Sequence, residues 1–413
     1  MRPFFTLALT ALAAAANAAA LPETQTQTQT QEEPGLGTDY DAIIVGGGPA
    51  GLSAASGLAR VRRNVLLIDS GEYRNAPTRH MHDVPGFDGV TPAYFRWAAR
   101  QQISYYKTVT MVNGTVFKIQ PGNEKNTYFV VSSREPGAEG GEEVKERTAR
   151  KVVLATGLRD LLPETPGVHE NWGKGIFWCP WCDGHEHADQ TLGLLGSLDN
   201  VPAAVREMLT LNRDIIAFVN GTDTPEVRAV TEQKLARWET YLRLHNVRLD
   251  NRTISAIVRL ENGTDGSEDP SLPTAPEHDF FRVDFTNGEP EYRAAFLAAF
   301  PSEQTSSVGE DLGVQLLGGR LFANQSAGLV TNIPGVYAVG DANSDNTTNV
   351  PHALFSGKRT AVFLHVAIAR EDGEKELNET EVSKRDLEPV ARSLWDTVNG
   401  RPGDILYAGE FDQ

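Results

Sequence analysis

The chain contains two cysteines, Cys179 and Cys182, which are separated by Pro-Trp in a Cys-x-x-Cys run. A disulfide that closes so short a loop removes little entropy from the unfolded chain and therefore stabilises a fold weakly. A redox-active disulfide explains the pair better than a structural one. Zinc is an alternative because His185 and His187 follow closely, but zinc sites more often draw their second pair of ligands from a distant segment. We therefore expect no metal.

An electron carrier for such a disulfide is indicated by a glycine-rich turn between two apolar runs, residues 41–45 and 65–69. Glycines let the backbone approach a pyrophosphate, and the N-terminus of the following helix offers free N–H groups. An acidic residue at the end of the second run can accept hydrogen bonds from ribose hydroxyls. The pattern predicts a βαβ dinucleotide-binding unit. Its contact residues are predicted to be Gly46, Gly47, Gly48, Pro49, Ala50, Gly51 and Asp69.

Two later apolar runs end in turns of defined sequence. Residues 151–157 end in Ala-Thr-Gly, and residues 336–341 end in Gly-Asp. Each run alone is typical of an ordinary buried strand. In this order, with the Cys-x-x-Cys between them, the set resembles the flavoprotein disulfide reductases with two dinucleotide domains, and within them the low-molecular-weight thioredoxin reductase-like group. The resemblance covers roughly residues 40–365.

The resemblance implies an α/β fold with two Rossmann-like dinucleotide-binding domains, the second inserted in the first. The first would comprise residues 39–167 and 298–413, including a C-terminal tail, and the insertion, residues 168–297, would carry the Cys-x-x-Cys. It also implies FAD as the cofactor and a homodimer as the assembly. The further FAD contacts expected are Arg74, Asn75, His82, Thr156, Gly157, Gly340, Asp341 and Val350. Arg74 and His82 could equally belong to a solvated loop.

The same resemblance assigns roles around the disulfide. Cys179 would be the outer sulfur that a thiol attacks, and Cys182 the inner sulfur nearer the flavin, with both pKa values lowered by a following helix. Asp183 matches the family's C-x-x-C-D, in which the acid moves protons. His352 is expected beside the flavin at the start of a helix, as a thiol-activating base or as a helix cap.

The second nucleotide turn departs from the family pattern. Gly193 and Gly196 are present, but Leu-Asp-Asn-Val at 198–201 stands where a third glycine or alanine should begin the helix. The next apolar run ends at Asn220-Gly-Thr, where a 2′-phosphate would need Arg or Lys. We expect an inserted domain that keeps its fold and does not bind NADPH; a divergent NADPH site is the alternative.

Several features predict secretion. Residues 1–20 have a positive start, a short apolar run and small residues, as signal peptides do, and the polar segment 21–38 is expected to be disordered. The net charge of −17 argues against a nucleic-acid partner or an anionic membrane surface. Seven N-x-[ST] sequons predict an extracellular, N-glycosylated protein. They begin at Asn113, Asn220, Asn251, Asn262, Asn324, Asn346 and Asn378.

Outside the cell there is little NADPH, but O2 is present. The favoured hypothesis is therefore an FAD-dependent thiol oxidase that converts glutathione, cysteine or similar thiols into disulfides and reduces O2 to H2O2. This resembles the secreted fungal sulfhydryl (glutathione) oxidases and the gliotoxin-type dithiol oxidases. Three alternatives stay open: a dithiol oxidase that closes a disulfide in a secondary metabolite, an NADPH-dependent reductase, and a metal-stabilised flavin-binding protein without catalysis.

Overall fold

The computed structural model describes residues 37–138, 140–264 and 272–379. The predicted signal peptide, all but the last two residues of the polar segment 21–38, and the tail beyond residue 379 lie outside these ranges. The strands are β1 (Tyr40–Val45), β2 (Val65–Asp69), β3 (Val109–Asn113), β4 (Thr115–Pro121), β5 (Phe129–Pro136), β6 (Glu142–Leu154), β7 (Leu158–Asp160), β8 (Ile176–Phe177), β9 (Leu192–Leu195), β10 (Ile215–Phe218), β11 (Arg248–Asp250), β12 (Ile254–Glu261), β13 (Phe280–Phe285), β14 (Glu291–Arg293), β15 (Ala295–Ala298), β16 (Ser302–Gln304), β17 (Leu316–Leu317), β18 (Arg320–Leu321) and β19 (Val336–Ala338). The helices are α1 (Pro49–Ala59), α2 (Pro92–Ser104), α3 (Val168–Asn171), α4 (Pro180–Asp183), α5 (Val201–Met208), α6 (Pro225–Lys234), α7 (Trp238–Leu244), α8 (Val308–Asp311) and α9 (Val350–Glu379).

The first sheet has seven strands in the order β3-β2-β1-β6-β5-β4, with β19 also paired to β6. Strands β3, β2, β1, β6 and β19 run parallel, so their carboxyl ends share one edge. The long strand β6 also pairs antiparallel with β5, through its first half. The three turns that follow β1, β6 and β19 therefore lie at the same edge of the sheet. They are the glycine-rich turn, the Ala-Thr-Gly turn and the Gly-Asp turn. Ligands of open α/β sheets bind at this edge.

The second sheet is parallel and has the order β11-β10-β9-β15-β8. Its strands lie between residues 176 and 298, whereas the first sheet takes strands from both sides of this range. The chain passes between the sheets through β7 and β16, which pair with each other. The predicted fold class, with one Rossmann-like unit inserted in another, is confirmed.

The packing of α1 on α9 supports the first glycine-rich turn. The apolar side chains of Leu52 and Leu58 on α1 are fully buried against the sheet. Gly57 of α1 lies so close to Ala361 of α9 that an added Cβ would stand 2.6 Å from the alanine methyl group. Small residues thus let the two helices approach closely and fix the N-terminus of α1 at the sheet edge.

No helix in the three described ranges is both long enough and apolar enough to cross a membrane.

Candidate active site

A deep cleft lies along the carboxyl edge of the first sheet and ends at the Cys-x-x-Cys segment. Most of the residues predicted to contact FAD lie on its wall, and so do Cys182 and Asp183. The predicted contacts that line it are Gly46, Gly47, Gly48, Pro49, Ala50, Asp69, Arg74, Asn75, His82, Thr156, Gly157, Gly340, Asp341 and Val350. The structure thus brings together positions that are up to 304 residues apart in the sequence, from Gly46 to Val350.

Gly51 differs from the other predicted contacts because it does not line the cleft. A Cβ at this position would overlap the carbonyl oxygen of Gly46 and press on the methyl group of Ala155 at 3.3 Å. Because Gly51 has no side chain, α1 can pack closely on the ends of the strands. The third glycine of such turns has this role.

Several wall atoms fit a bound dinucleotide. The buried hydroxyl oxygen of Thr156 has no hydrogen-bond partner among the described residues, so a donor or acceptor from a ligand would satisfy it. Gly157 has a φ of +68°, which glycine adopts without strain, and nothing stands within 4 Å of its open side. Gly47 is held over Asp69 because its N–H donates to the carboxylate at 3.1 Å. The cleft therefore suits FAD.

Asp69 is the centre of a polar cluster that the sequence did not reveal. Its buried carboxylate accepts hydrogen bonds from the Tyr73 hydroxyl at 2.5 Å and from Arg100 at 2.9 Å. Burial and the bond to Asp69 raise the pKa of Tyr73 to about 12, so this phenol remains protonated and donates. Arg96 lies 3.8 Å from the Tyr73 ring centroid. Tyr73, Arg96 and Arg100 were missed because they come from a loop and a helix with no sequence signature.

Arg74 joins two carboxylates at the middle of the cleft. It donates to Asp160 through two nitrogens, at 2.6 and 2.9 Å, and to Asp341 at 3.0 Å. Burial raises the pKa of Asp341, and the Arg74 charge opposes that rise. The guanidinium also lies 5.6 Å from the Trp178 ring centroid, next to the disulfide. Arg74, which was predicted to contact the cofactor, thus also forms an ion pair with Asp160. Asp160 was not predicted as a site residue.

The two cysteines are joined in a disulfide, with their Cα atoms 5.2 Å apart. Cys182 lines the cleft, whereas Cys179 does not, and the side chain of Trp181 between them is 70% exposed. Trp178 stacks on Trp172 with ring centroids 4.8 Å apart. Cys182 thus borders the cleft and Cys179 does not; their roles as inner and outer sulfur stay predictions. Cys179 precedes the helix α4 and Cys182 lies within it; α4 is a single turn, shorter than the expected helix.

Asp183 ends that turn with a carboxyl oxygen, Oδ2, that is buried and has no hydrogen-bond partner in the described part of the chain. Burial, together with the negative charges of Glu277 and Glu186, raises the pKa of Asp183 well above its usual value. These effects favour the protonated form of Asp183, and a protonated carboxyl beside the disulfide can donate to a departing thiolate.

His352 lies in a different pocket from the disulfide. Its Nε2 is 2.6 Å from Asp345 Oδ2, and the pocket is also lined by Phe355 and Arg359. The helix cap is Asn349, whose side chain accepts from the His352 N–H at 2.8 Å. The His352 side chain therefore does not lie in the cleft, where a base was expected. It does not cap α9 either.

The metal alternative lacks support at the cysteines. Both sulfurs are bonded to each other, so they are not available as thiolates in this state. His185 is exposed, whereas His187 is buried against the ring of Phe177 and points towards Glu277. The nearby acids already have a cation, because Arg79 forms ion pairs with Glu277 and Asp279.

Residues of the second nucleotide turn form a hydrogen bond and an ion pair with other side chains of the protein. The Leu198 N–H donates to the Thr222 hydroxyl at 3.1 Å, and Leu198 itself is fully buried. Asp199, in the first turn where a pyrophosphate would approach, pairs with Lys234 at 2.6 Å. The bond to Lys234 lowers the pKa of Asp199. An ionised carboxylate at this place repels a phosphate.

Residues 219–227, which follow β10, contain no Arg or Lys. Arg228 is the first basic residue after this strand, and it is paired with Asp223 and Glu239. Asn220 uses its side-chain oxygen to accept from Ile254 N–H at 2.9 Å. The loss of an NADPH site stays a prediction.

Comparison with known proteins places the chain in a family. The family model described as pyridine nucleotide-disulphide oxidoreductase matches residues 40–197. A probable thioredoxin reductase of Arthroderma benhamiae is 46% identical over 360 residues, covering 85% of this chain and 86% of that protein. The thioredoxin reductase tcpT of Claviceps purpurea is 31% identical, covering 77% and 90%.

Solved structures of similar fold support the same family. An oxidoreductase from Agrobacterium tumefaciens has a TM-score of 0.65 at 26% identity, covering 80% of this chain and 99% of that one. The crystal structure of HlmI has the same TM-score at 27% identity, covering 86% and 97%. The chain therefore belongs to the pyridine nucleotide-disulfide oxidoreductases, in their thioredoxin reductase-like group, and is an FAD-binding enzyme of that family.

Proposed function

We propose that this enzyme oxidises small thiols such as glutathione or cysteine to disulfides and passes the electrons to O2, in the overall reaction 2 RSH + O2 → RSSR + H2O2. The observation that carries the proposal is the second nucleotide turn, where Asp199 is paired with Lys234 and the Leu198 N–H donates to Thr222, so these groups already have partners within the chain. An enzyme of this family without a nicotinamide donor can still take electrons from thiols.

The disulfide provides the first half of the reaction. A substrate thiolate attacks Sγ of Cys179, the Cys179–Cys182 bond breaks, and Cys182 leaves as a thiolate. A second thiolate then attacks the substrate sulfur of the mixed disulfide and releases RSSR. Asp183 donates a proton to the Cys182 sulfur, because its raised pKa favours the protonated form and it borders the cleft next to Cys182.

FAD, when bound, supplies the two-electron acceptor that restores the disulfide and reduces O2 to H2O2. The protein's part is to hold it. The turns after β1, β6 and β19 and the N-terminus of α9 would do so, with Arg74 fixing Asp341 and Asp160 at the centre.

Secretion and glycosylation belong to the same proposal. The side chains of the seven sequon asparagines, which range from Asn113 in β3 to Asn378 in α9, are all exposed. Surface exposure is what an attached glycan requires. A homodimer is also proposed, because α9 exposes Phe355, Val362 and Phe363 along one side.

A second candidate is the oxidation of an apolar dithiol within a single molecule, as in a secondary metabolite. The exposed indole of Trp181 beside Cys179 favours it, because an aromatic surface at the outer sulfur could pack against an apolar substrate.

Oxygen uptake tests the proposal. Purified, FAD-loaded protein is given glutathione, a cyclisable dithiol, or NADPH with thioredoxin, and O2 consumption, H2O2 and NADPH oxidation are followed. We expect one H2O2 for each O2 consumed with glutathione and no NADPH oxidation. Turnover with the dithiol alone would favour the second candidate, and NADPH-dependent reduction of thioredoxin would refute the first.

A further inference from the structure

The FAD-binding region and the inserted region are connected by short stretches of chain. The chain passes between them through β7 and β16, which pair with each other. Regions connected in this way usually move relative to one another unless a large apolar interface holds them. The disulfide belongs to the inserted region, whereas most of the cleft wall belongs to the FAD-binding region. Whatever fixes the inserted region therefore also fixes the place of the disulfide at the cleft.

One arginine of the FAD-binding region enters a buried group of acids in the inserted region. Arg79, in the loop between β2 and α2, forms ion pairs with Glu277 and Asp279. Two of its nitrogens donate to the two oxygens of Asp279, at 2.9 and 3.0 Å, and one also donates to Asn262 Oδ1 at 2.8 Å. The side chains of Arg79 and Glu277 are 10% exposed, and that of Asp279 is fully buried. We call Arg79, Glu277 and Asp279 the interdomain anchor.

The carboxylate of Asp279 is also fixed within the inserted region. It accepts from Arg259 of β12 and from the Gly263 N–H, the latter at 2.8 Å. Two arginines from different regions therefore meet on one buried carboxylate. If the regions separated, Asp279 would keep its local partners and lose Arg79.

Glu277 connects the anchor to the segment that carries the disulfide. Its N–H donates to Glu186 O at 2.8 Å, and its own carbonyl oxygen lies 3.2 Å from Nδ1 of His187. Glu186 and His187 follow Cys182 by four and five residues. The position of Arg79 is thus transmitted to the Cys-x-x-Cys segment through one residue.

The loop that carries Arg79 also packs against the inserted region on both sides of the arginine. A Cβ on Gly173 would stand 2.9 Å from the carbonyl carbon of Pro77, and one on Gly89 would stand 2.3 Å from the carbonyl oxygen of Pro273. Both glycines have a positive φ, +72° and +78°, which glycine adopts without strain. Backbone contacts this close add dispersion attraction to the ion pairs.

We propose that Arg79 is a positioning residue. Through the interdomain anchor it holds the inserted region in the orientation in which Cys182 borders the flavin cleft, and the two regions keep this orientation while electrons pass between disulfide and flavin. Arg79 does not itself line the cleft, so it acts through the acids that it binds. The inference concerns the exchange between disulfide and flavin and does not depend on the final electron acceptor.

The geometry of the anchor explains why arginine serves this purpose. A bidentate pair of guanidinium and carboxylate constrains orientation as well as distance, because both N–H···O bonds must stay aligned. A lysine would keep the attraction between the charges but not the alignment. The variants Arg79→Lys and Arg79→Gln therefore separate orientation from charge.

The first test is the anaerobic reduction of FAD-loaded protein by saturating dithiothreitol, followed by flavin absorbance. The limiting rate should fall about tenfold or more in Arg79→Gln, in proportion to the fraction of molecules that keep the aligned orientation. Arg79→Lys should retain part of the rate. When glycerol raises the viscosity, the wild-type rate should stay constant and the Arg79→Gln rate should fall, because the two regions must now meet by diffusion.

The matched control is Arg282→Gln, which removes an arginine from an exposed pair with Asp284 inside β13. This pair does not join the two regions, so the rate and its response to viscosity should match wild type. An Arg79→Gln variant that also behaves like wild type in both respects would overturn the proposal.

Hydrogen exchange tests the wild-type protein directly and needs no variant, so it decides even if Arg79→Gln loses its flavin. Residues 76–90 and 272–279 line the contact between the regions. Their amides should exchange at the same rates before and after reduction by dithiothreitol. Faster exchange of both segments on reduction would show that the regions separate, and would overturn the proposal.

These experiments distinguish this inference from the proposed function. Reduction by dithiothreitol needs neither O2 nor glutathione. Wild-type protein that consumes no O2 with glutathione but keeps its interface closed on reduction would refute the oxidase and leave the role of Arg79 intact. An active oxidase whose interface opens on reduction would refute the role of Arg79 alone.

Discussion

Arg74 shows how much of the cleft depends on one side chain. Its guanidinium compensates the charges of Asp160 and Asp341, and the side chains of these acids are 6% and 20% exposed. Removing one partner of a buried ion pair leaves a charge that neither water nor protein solvates.

The change Arg74→Met should therefore lower the free energy of unfolding by about 3–5 kcal/mol and weaken FAD binding. Chemical denaturation and flavin retention on gel filtration measure the two effects. The control is Arg159→Met, which breaks an exposed pair with Glu303 and should cost about 0–1 kcal/mol. Equal losses in both variants would contradict the account.

Asp183 makes stability depend on pH in a particular direction. Its pKa is raised in the folded protein, so the folded state binds more protons than the unfolded state. Its contribution is fully present below the unfolded pKa and is lost as pH rises through the folded pKa.

Asp183→Asn, which is neutral at every pH, should therefore gain stability over wild type as pH rises through this window, and the two should be alike in acid. Thermal unfolding of the oxidised proteins across pH measures the gap. The same variant should slow reduction by thiols at least about tenfold, because the proton donor is gone. A stability gap that is constant with pH would contradict a buried neutral acid.

At the scale of elements, α9 lines two pockets. Val350 and Ala353 are three residues apart and face the cleft, whereas His352, Phe355 and Arg359 share another side of the helix and face the second pocket. Positions three and four apart share a helix face, and positions two apart do not. This periodicity explains why His352 points away from the disulfide although its neighbour Val350 lines the cleft.

The cap of α9 offers a prediction. Asn349→Ala should cost about 0.5–2 kcal/mol of stability and weaken FAD binding, because the first turn of α9 borders the cleft. Thr224→Ala removes the cap of α6, whose side chain accepts from Val227 N–H at 3.4 Å, and should cost stability without changing flavin affinity. Titration of both apoproteins with FAD measures their flavin affinity. Equal flavin affinity in the two variants would show that the α9 terminus does not contribute.

The elements predicted from the sequence were those with a local signal. The glycine-rich turn, the strands beside it and the Ala-Thr-Gly and Gly-Asp turns follow from apolar runs and turn residues that lie together in the chain. Asp160, Tyr73 and Arg100 could not be found in this way, because their partners Arg74 and Asp69 meet them only in the folded protein. The side of α9 that His352 occupies depends on the helix phase, which a motif does not give.

At the scale of the whole molecule, the loop after β2 connects the flavin cleft with the region that carries the disulfide. Arg79, from the loop after β2, pairs with Glu277 and Asp279 of the inserted region. Arg74, from the same loop, lies against Trp178 beside Cys179. These contacts join the disulfide to the flavin cleft, whereas Asp199 in the second nucleotide turn is paired with Lys234.

The most direct measurement of the central claim is an anaerobic titration of the FAD-loaded protein, with glutathione in one cell and NADPH in another, followed by flavin absorbance. Thiols should bleach the flavin, NADPH should leave its spectrum unchanged, and admission of air should restore the colour with formation of H2O2. Rapid bleaching by NADPH, with no response to thiols, would contradict the account.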